Sequence, residues 1–411
     1  MRWERMGAVT VAVAALTLAA CSGSSGRSSA PSTKAVNCTG WSQGSRSDHA
    51  VQSDDTARAD ADECLRLNQV QVVGTHNSYH FRDVPAIFDA IKGFDRSLAD
   101  SIDYTHPVLP TQFSREGVRQ IELDVFADPD GGRYAHPKLR ELLQGLKTPL
   151  PGMSKPGFKV LHASDSDFNS NCITFIACLD AVKGWSDAHK QHLPIAILVE
   201  AKDDPVVDPL HMGFVQPPPL TTKDFDALDA EIRSVFTPSD LITPDDVRGS
   251  HSTLEAAVRA GNAWPTLAEA RGKVFFLLDQ GGQRARYIKG HPSLKGRVIF
   301  TNATPGEPDA AFVEMNDPTG ANQAKIQQLV REGYIVRTRS DADTVEARAD
   351  DTKTRDLAIS SGAQFVSTDY PAPDKAPFPG GFEVTLPGNL PWRCDPVNTG
   401  SACASSVLDT R

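Results

Sequence analysis

The chain has 411 residues, of which 40% are apolar and 23% are charged. This balance supplies enough apolar side chains for a large core and excludes wholesale disorder. The 52 acidic side chains outnumber the 42 basic ones, giving a formal charge of −10. That excess argues against a dedicated nucleic-acid-binding protein, because such proteins usually carry a basic surface. No apolar run approaches the length of a membrane-spanning helix, about 18 residues or more.

Residues 1–20 have the pattern of a secretory signal peptide. Arg2 and Arg5 precede an apolar run over residues 6–20 that is too short to span a bilayer. The run ends in the letters LAAC, which resemble the lipobox of bacterial lipoproteins, where the signal is cut before a lipid-carrying cysteine. An ordinary cleavage site that happens to contain cysteine is the alternative. We therefore expect an exported protein that is either extracellular or anchored to the cell membrane as a lipoprotein through Cys21.

The cysteine count fits an oxidising compartment. Seven cysteines minus Cys21 leave six, an even set. A zinc site is the rival interpretation, but the sequence lacks paired Cys-x-x-Cys spacing. Sequence proximity favours three disulfides, which pair Cys38 with Cys64, Cys172 with Cys178, and Cys394 with Cys403.

The chain divides into an N-terminal segment, one large domain and a tail. Residues 21–64 begin with a Ser- and Gly-rich stretch, so we expect a flexible tether and N-terminal segment there. Residues 376–411 show little periodicity and contain a cysteine pair, which predicts a C-terminal tail with a disulfide. Between them, over residues 65–375, short apolar runs alternate with helical or looped stretches.

Eight apolar runs in this region predict an α/β fold, a (β/α)8 TIM-type barrel. A doubly wound open sheet is the main alternative, but the first run lacks the glycine-rich phosphate turn that such a fold often carries. The predicted helices cover residues 172–189, 222–235, 322–332 and 344–360. The predicted strands cover residues 70–73, 118–125, 158–161, 195–199, 274–278, 298–300, 334–336 and 364–367.

Polar side chains at the strand ends carry the candidate chemistry, because catalytic groups of such barrels lie at the C-terminal ends of strands. On the second strand, Glu122 and Asp124 alternate with apolar residues, so both carboxylates share one face roughly 7 Å apart. Two buried carboxylates call for a cation or a shared proton, the alternative being a pair of salt-bridge partners at the rim. The other strand-end residues are His76, Asn77, His162, Glu200, Lys202, Asp279, Asn302, Arg337, Arg339 and Asp369.

An all-oxygen ligand set emerges from these strand ends. Glu200 and the Asn77 amide join the two carboxylates, and such a set suits Ca²⁺ or Mg²⁺ rather than Zn²⁺. His76 lies beside a predicted ligand, and His136 follows a turn over residues 128–132 that can fold the chain back over the same mouth. Two imidazoles beside a metal-bound anion fit acid-base catalysis near neutral pH.

The sequence Gly-Thr-His-Asn-Ser-Tyr at 74–79, Glu-x-Asp at 122–124, His136 and the strand ending in Glu200 together resemble the X-region of phosphatidylinositol-specific phospholipases C. The resemblance is greatest to the calcium-dependent secreted bacterial branch, and it covers residues 68–372. It implies a Ca²⁺ ion held by Asn77, Glu122, Asp124 and Glu200, with His76 and His136 as the catalytic pair.

The resemblance also implies the reaction. The inositol 2-hydroxyl would attack the adjacent phosphorus, expel diacylglycerol and give a cyclic inositol phosphate that water can open. By the family's pattern His136 protonates the leaving oxygen, while either a histidine or a ligand carboxylate acts as the base. Lys202 and Arg337 are candidates for holding the substrate, with a salt-bridge role as the alternative. The implied partner is an inositol phospholipid at a membrane surface, and we expect a monomer that binds no nucleic acid.

Two alternatives to this function remain: a phosphodiesterase on the same barrel that acts on glycerophosphodiesters or another phospholipid, and a protein without catalytic activity. Glycerophosphodiester phosphodiesterases share the barrel, a metal and a Glu-x-Asp pair, but their first motif is His-Arg-Gly where this chain has His-Asn-Ser. Calcium-independent bacterial phospholipases place an arginine near the end of the second strand, where this chain has Glu-Leu-Asp. A catalytically inactive lipid-binding lipoprotein is the non-enzyme alternative, disfavoured because every inferred acid-base and metal position is filled.

Overall fold

The computed structural model describes Cys38 and residues 54–208, 210–279, 281–400 and 403–409. The predicted signal peptide, Cys21 and most of the predicted tether lie outside the described residues. A helix, α1 (Asp54–Cys64), ends the N-terminal segment. Within the described residues, every helix is too short or too polar to cross a membrane.

Eight parallel strands form a nearly closed barrel, which confirms the predicted fold. Two further strands, the third and the tenth along the chain, pair antiparallel with members of the barrel. The ten strands are β1 (Val70–Thr75), β2 (Gln120–Phe126), β3 (Lys159–Val160), β4 (Ile195–Ala201), β5 (Val274–Leu278), β6 (Ile299–Thr301), β7 (Phe312–Glu314), β8 (Ile335–Arg339), β9 (Phe365–Thr368) and β10 (Trp392–Cys394). Hydrogen bonds join the eight barrel strands in the order β6-β5-β4-β2-β1-β9-β8-β7, and a parallel bridge between Asn302 and Phe312 links the two ends of that row.

Two strands differ from the prediction. The run over residues 158–161 contains β3, which pairs antiparallel with the end of β2 through Val125 and Val160 and therefore adds no member to the barrel. The eighth barrel strand is instead β7, three residues long and not predicted. A run this short carries no periodic signal, and its pairing with β8 defines it as a strand.

Helices pack against the barrel through their apolar faces. In α7 (Thr222–Val235), Phe225, Leu228 and Ile232 are buried, while Asp224 accepts a hydrogen bond from the backbone N–H of Thr221 at 2.7 Å in a capping box. The remaining helices are α2 (Pro85–Phe94), α3 (Arg96–Ser101), α4 (Leu109–Thr111), α5 (Lys138–Gln144), α6 (Phe175–Ala188), α8 (Pro244–Arg248), α9 (Leu254–Arg259), α10 (Leu267–Ala270), α11 (Gly281–Tyr287), α12 (Asn322–Arg331), α13 (Val345–Ala349) and α14 (Lys353–Ser360).

The three predicted disulfides are confirmed: Cys38–Cys64, Cys172–Cys178 and Cys394–Cys403. The last of these closes a loop directly after β10, which pairs antiparallel with the first half of β1. Strand β2 pairs with β1 only at Gly74, near the C-terminal end of β1. Strand β10 therefore covers the edge of the first half of β1, which would otherwise be open.

Candidate active site

Carboxylates from three neighbouring strands converge at one end of the barrel. The register of β2 and β4 pairs Asp124 directly with Glu200, and Glu122 shares the face of Asp124 because side chains alternate along a strand. Asp279 follows β5 immediately. Carboxylate oxygens of Glu122, Glu200 and Asp279 all lie within 4.8 Å of one another. The structure therefore adds Asp279, to which the sequence gave no task, to the predicted acidic set.

The electrostatics of this cluster favour a bound cation. Burial raises the pKa of Glu122, and the charges of Asp124 and Glu200 raise it further, although the Arg337 guanidinium opposes the rise. Burial and Asp124 likewise raise the pKa of Glu200, and burial and Glu314 raise that of Asp279 well above its usual value. Carboxylates this close can all ionise only if a positive charge joins them.

Asn77 follows the end of β1, the strand that neighbours β2 in the barrel. Its φ of 43° lies in the left-handed region, which asparagine tolerates better than most residues. Two hydrogen bonds join the next residue, Ser78, to the backbone of Glu122 at 3.0 and 2.8 Å and so fix the turn against β2. Asn77 donates from Nδ2 to the Tyr104 hydroxyl at 3.0 Å, whereas its buried Oδ1 meets no donor in the described part of the chain.

The oxygen atoms of these side chains are suitable ligands for Ca²⁺. Carboxylate oxygens and an amide oxygen are the ligands that this ion prefers, and the Asn77 Oδ1 atom is a buried acceptor left unsatisfied by the protein. The Lys202 ammonium, whose side chain is 22% exposed, lies 3.1 Å from Asp124 Oδ2 and 2.9 Å from Glu200 Oε2, so positive charge is already drawn to this position. Of the predicted ligands, Glu122 and Glu200 belong to one carboxylate group, and Asp124 lies opposite Glu200 in the register of β2 and β4.

Arg337 lies beneath the carboxylates rather than at the open mouth. Its side chain is 2% exposed, with Nη2 2.5 Å from Glu122 Oε2 and Nη1 2.6 Å from Glu314 Oε1. The register of β7 and β8 pairs Arg337 with Glu314, a residue the sequence did not single out because its strand was not predicted. This environment favours the salt-bridge role for Arg337 over the predicted contact with substrate.

His76 is oriented by a carboxylate on the far side of its ring. Its Nδ1 lies 2.9 Å from Asp369 Oδ1, just after β9, while Nε2 faces Glu122 Oε1 at 3.7 Å. Asp369 is itself contacted by Arg339 at 3.4 Å. Burial lowers the pKa of His76 well below its usual value, and Arg339 and Arg337 lower it further. The lowered pKa favours the neutral ring, and the contact with Asp369 favours the tautomer that carries its proton on Nδ1.

A second imidazole at the site belongs to His162, which follows β3. Its Nδ1 lies 2.8 Å from Asp167 Oδ2, and Asp167 also accepts a hydrogen bond from His80 Nε2 at 2.9 Å. Burial alone would lower the pKa of His162, but the hydrogen bond and charge of Asp167 raise it overall. The charge of Lys202 lowers the pKa of His162 and that of Asp124 raises it, so the ring lies within electrostatic range of the carboxylate cluster.

The structure places the predicted catalytic His136 at the protein surface. Its side chain is 50% exposed, and its Nδ1 lies 3.5 Å from Glu141 Oε1 on α5. Tyr134, two residues earlier, is buried in an apolar cluster with Phe126 and Met153. Packing of this loop thus carries His136 to the surface. The sequence named His162 as a strand-end residue but assigned it no role.

The chain is similar to known phospholipases. Residues 65–396 match the family model described as phosphoinositide phospholipase C, Ca²⁺-dependent. Similar solved structures include a calcium-dependent phosphoinositol-specific phospholipase C from Pseudomonas sp (19% identity, 81% of this chain and 96% of that chain, TM-score 0.48). Another is a Ca²⁺-dependent phosphatidylinositol-specific phospholipase C from Streptomyces antibioticus (20% identity, 74% of this chain and 94% of that chain, TM-score 0.43). No curated protein matches the chain.

The family match covers most of the chain, and the acidic cluster supplies the hard oxygen donors that a Ca²⁺ cofactor requires. Ca²⁺-dependent phosphodiester cleavage is therefore the chemistry of this barrel. The chain belongs to the Ca²⁺-dependent phosphoinositide phospholipase C family.

Proposed function

We propose that the protein cleaves phosphatidylinositol into diacylglycerol and a cyclic inositol phosphate, which water can later open. The observation that carries this proposal is the pair of imidazoles, His76 and His162, at one carboxylate cluster, each held by its own aspartate. An attack by the inositol 2-hydroxyl needs one group to take a proton and another to return one. The two imidazoles supply a proton acceptor and a proton donor beside the carboxylate cluster.

The base of this reaction is His76. Asp369 accepts the Nδ1 proton at 2.9 Å, so the ring presents its unprotonated Nε2 toward Glu122 and the mouth. When the 2-hydroxyl proton moves to Nε2, the ring becomes positive and the Asp369 carboxylate stabilises that charge. This is the arrangement by which a carboxylate orients a catalytic histidine and fixes its tautomer.

The acid is His162, which takes the role that the sequence gave to His136. Asp167 holds the His162 Nδ1 proton at 2.8 Å and keeps the ring protonated, which leaves the Nε2 proton for the diacylglycerol oxygen as the P–O bond breaks. The Ca²⁺ ion would be held by Asn77, Glu122, Asp124, Glu200 and Asp279. When bound, Ca²⁺ lowers the pKa of the attacking hydroxyl and neutralises charge on the phosphate. Lys202, the part-exposed cation of the cluster, would contact the phosphate directly.

The reaction is tested with phosphatidylinositol vesicles over a range of free Ca²⁺. We expect the purified protein to release diacylglycerol only when Ca²⁺ is present. Phosphorus NMR should show a five-membered cyclic phosphate as the first product. Turnover that is unchanged in excess chelator would reject the proposal. Hydrolysis of a glycerophosphodiester without any cyclic product would favour the glycerophosphodiesterase alternative instead.

Asp167→Asn should shift the pH profile of kcat/KM toward acid pH. Because Asp167 raises the pKa of His162, its loss lowers that pKa, and the acid is then deprotonated at a lower pH. We expect the basic limb of the kcat/KM profile to shift toward acid pH, with about a tenfold loss at pH 8. Asp83→Asn is the control, since Asp83 bonds to Asn169 at 2.7 Å and not to His162. Equal shifts in both variants would contradict the assignment.

A further inference from the structure

A third histidine lies beside the imidazole of His162. His80 follows β1, and its side chain is fully buried, with 0% exposed. Its Nε2 lies 2.9 Å from Asp167 Oδ1 and 3.1 Å from Asp167 Oδ2. The rings of His80 and His162 meet edge to face, with their centroids 6.4 Å apart. The mechanism proposed above gives His80 no task.

Asp167 joins the two rings through its carboxylate. It accepts a hydrogen bond from His80 Nε2 and another from His162 Nδ1, the latter at 2.8 Å on Oδ2. Burial alone would raise the pKa of Asp167, but the charges of the two histidines and their hydrogen bonds lower that pKa overall. The carboxylate is therefore ionised and is held from two sides.

The surroundings of His80 fix its ring against Asp167. The backbone N–H of His80 donates to the Asn77 carbonyl at 2.8 Å, and its own carbonyl accepts from the backbone N–H of His106 at 2.9 Å. The Tyr104 ring packs on the imidazole, with centroids 4.5 Å apart. His80 Nδ1 is buried and meets no hydrogen-bond partner in the described part of the chain. The polar contact that His80 makes through its ring is thus the one to Asp167.

This contact controls a torsion that the backbone does not set. Asp167 lies in a turn closed by two backbone hydrogen bonds to Ala163, at 2.8 and 3.1 Å. The terminal torsion of an aspartate side chain is broad, so a fixed backbone still lets the carboxylate plane rotate. A second donor on the carboxylate removes that freedom. His80 therefore orients the oxygen that holds His162 Nδ1.

We propose that His80 is a positioning residue for the acid His162 and acts through Asp167. This inference rests on the proposed function, because it concerns the group that protonates the leaving oxygen. Since its side chain is fully buried, His80 acts on the acid and not on the substrate. Without the His80 donor, Asp167 turns more freely and holds His162 less often in the orientation that delivers its Nε2 proton.

Two amide substitutions make a matched test. Glutamine places its amide nitrogen as many bonds from Cα as histidine Nε2, whereas asparagine places it as many bonds away as Nδ1. His80→Gln therefore keeps a donor for Asp167, and His80→Asn removes it. We expect His80→Asn to lower kcat/KM on phosphatidylinositol vesicles about tenfold or more, mainly through kcat, and His80→Gln to stay within about threefold. His80→Phe, which keeps a ring against Tyr104 without a donor, should behave like His80→Asn.

The leaving group separates positioning of the acid from a structural role. An inositol phosphodiester with a nitrophenol leaving group needs little protonation as it departs, so His80→Asn and His80→Phe should lose less than about threefold on it. His192→Asn is the control, because His192 is also buried but bonds to Ser186 at 2.8 Å, and it should affect both substrates equally. Equal losses of the His80 variants on the two substrates would overturn the proposal.

A double-mutant cycle tests whether His80 acts through the carboxylate. When Asp167→Asn is already present, His80→Asn should lower kcat/KM less than about twofold further, because the two changes remove the same function. Full additivity of the two losses would contradict the proposal, as would a loss in His80→Gln as large as that in His80→Asn.

A measurement without catalysis distinguishes failure of this inference from failure of the proposed function. The Nδ1 proton of His162 should give a low-field proton NMR signal, identified by its disappearance in His162→Gln. We expect His80→Gln to retain this signal and His80→Asn to broaden it or shift it upfield. An unchanged signal in His80→Asn would show that the inference is wrong. If the signal responds as expected but the protein never cleaves phosphatidylinositol, the proposed function fails while the control of His162 by His80 stands.

Discussion

Replacement of His162 by glutamine is expected to lower kcat/KM on phosphatidylinositol vesicles by about a thousandfold, the scale of a lost acid-base group. His136→Gln is expected to stay within twofold, because that imidazole is half-exposed and lies beside Glu141 on α5. The two variants make a matched pair: the same change is made at two histidines that follow β2. Steady-state kinetics of diacylglycerol release measures both. The reverse order of effects would restore His136 as the acid.

The leaving group distinguishes the role of His162 from that of His76. An inositol phosphodiester with a nitrophenol leaving group needs little protonation as it departs, so His162→Gln should lose much less activity on it than on the lipid. His76→Gln removes the base and should be impaired on both substrates, since the attacking hydroxyl is the same. Equal losses for the two variants on the nitrophenyl substrate would contradict the assignment of acid and base.

Glu200→Gln is expected to raise the Ca²⁺ concentration for half-maximal activity at least tenfold and to lower maximal turnover by about a hundredfold. Glu200 lies next to Asp124 in the β-sheet register and belongs to the group of three carboxylates within 4.8 Å. Its replacement removes a charged oxygen that a hard cation requires. Activity against free Ca²⁺ measures the first effect, and the rise in Tm on Ca²⁺ addition, which should shrink, measures binding without catalysis.

Asp279→Asn extends this test to the carboxylate that the structure adds to the group. A loss of Ca²⁺ affinity comparable with that of Glu200→Gln would make Asp279 a ligand. Glu332→Gln is the control, because Glu332 pairs with Arg259 and lies outside the group of three. If Glu200→Gln and Asp279→Asn both retain the Tm rise of the unmodified protein, the cluster is not where Ca²⁺ binds.

Several features of the molecule could be predicted because they depend on short-range pattern. Successive side chains of a strand point to opposite faces, so Glu122 and Asp124 share one face of β2 whatever the position of that strand in the sheet. The apolar run that ends at Glu200 identifies a second strand of the same type, and the strand ends of a parallel barrel meet at one face. Proximity in sequence also sufficed for the disulfides, each of which closes a loop of 26 residues or fewer.

Other features depended on how distant parts of the chain pack. No local pattern distinguishes His136 from His162. In the structure the first is half-exposed beside Glu141, while the second bonds to Asp167. Strand β7 exists only through its pairing with β8.

By itself, the sequence determined the barrel, the disulfides and most of the predicted ligand set, because residue spacing fixes which side chains share a face. Only the tertiary structure brought Asp279 to the carboxylate group and gave His76 and His162 their partners Asp369 and Asp167, because hydrogen bonds such as His76 to Asp369, 293 residues apart, arise from loop packing that no local pattern encodes.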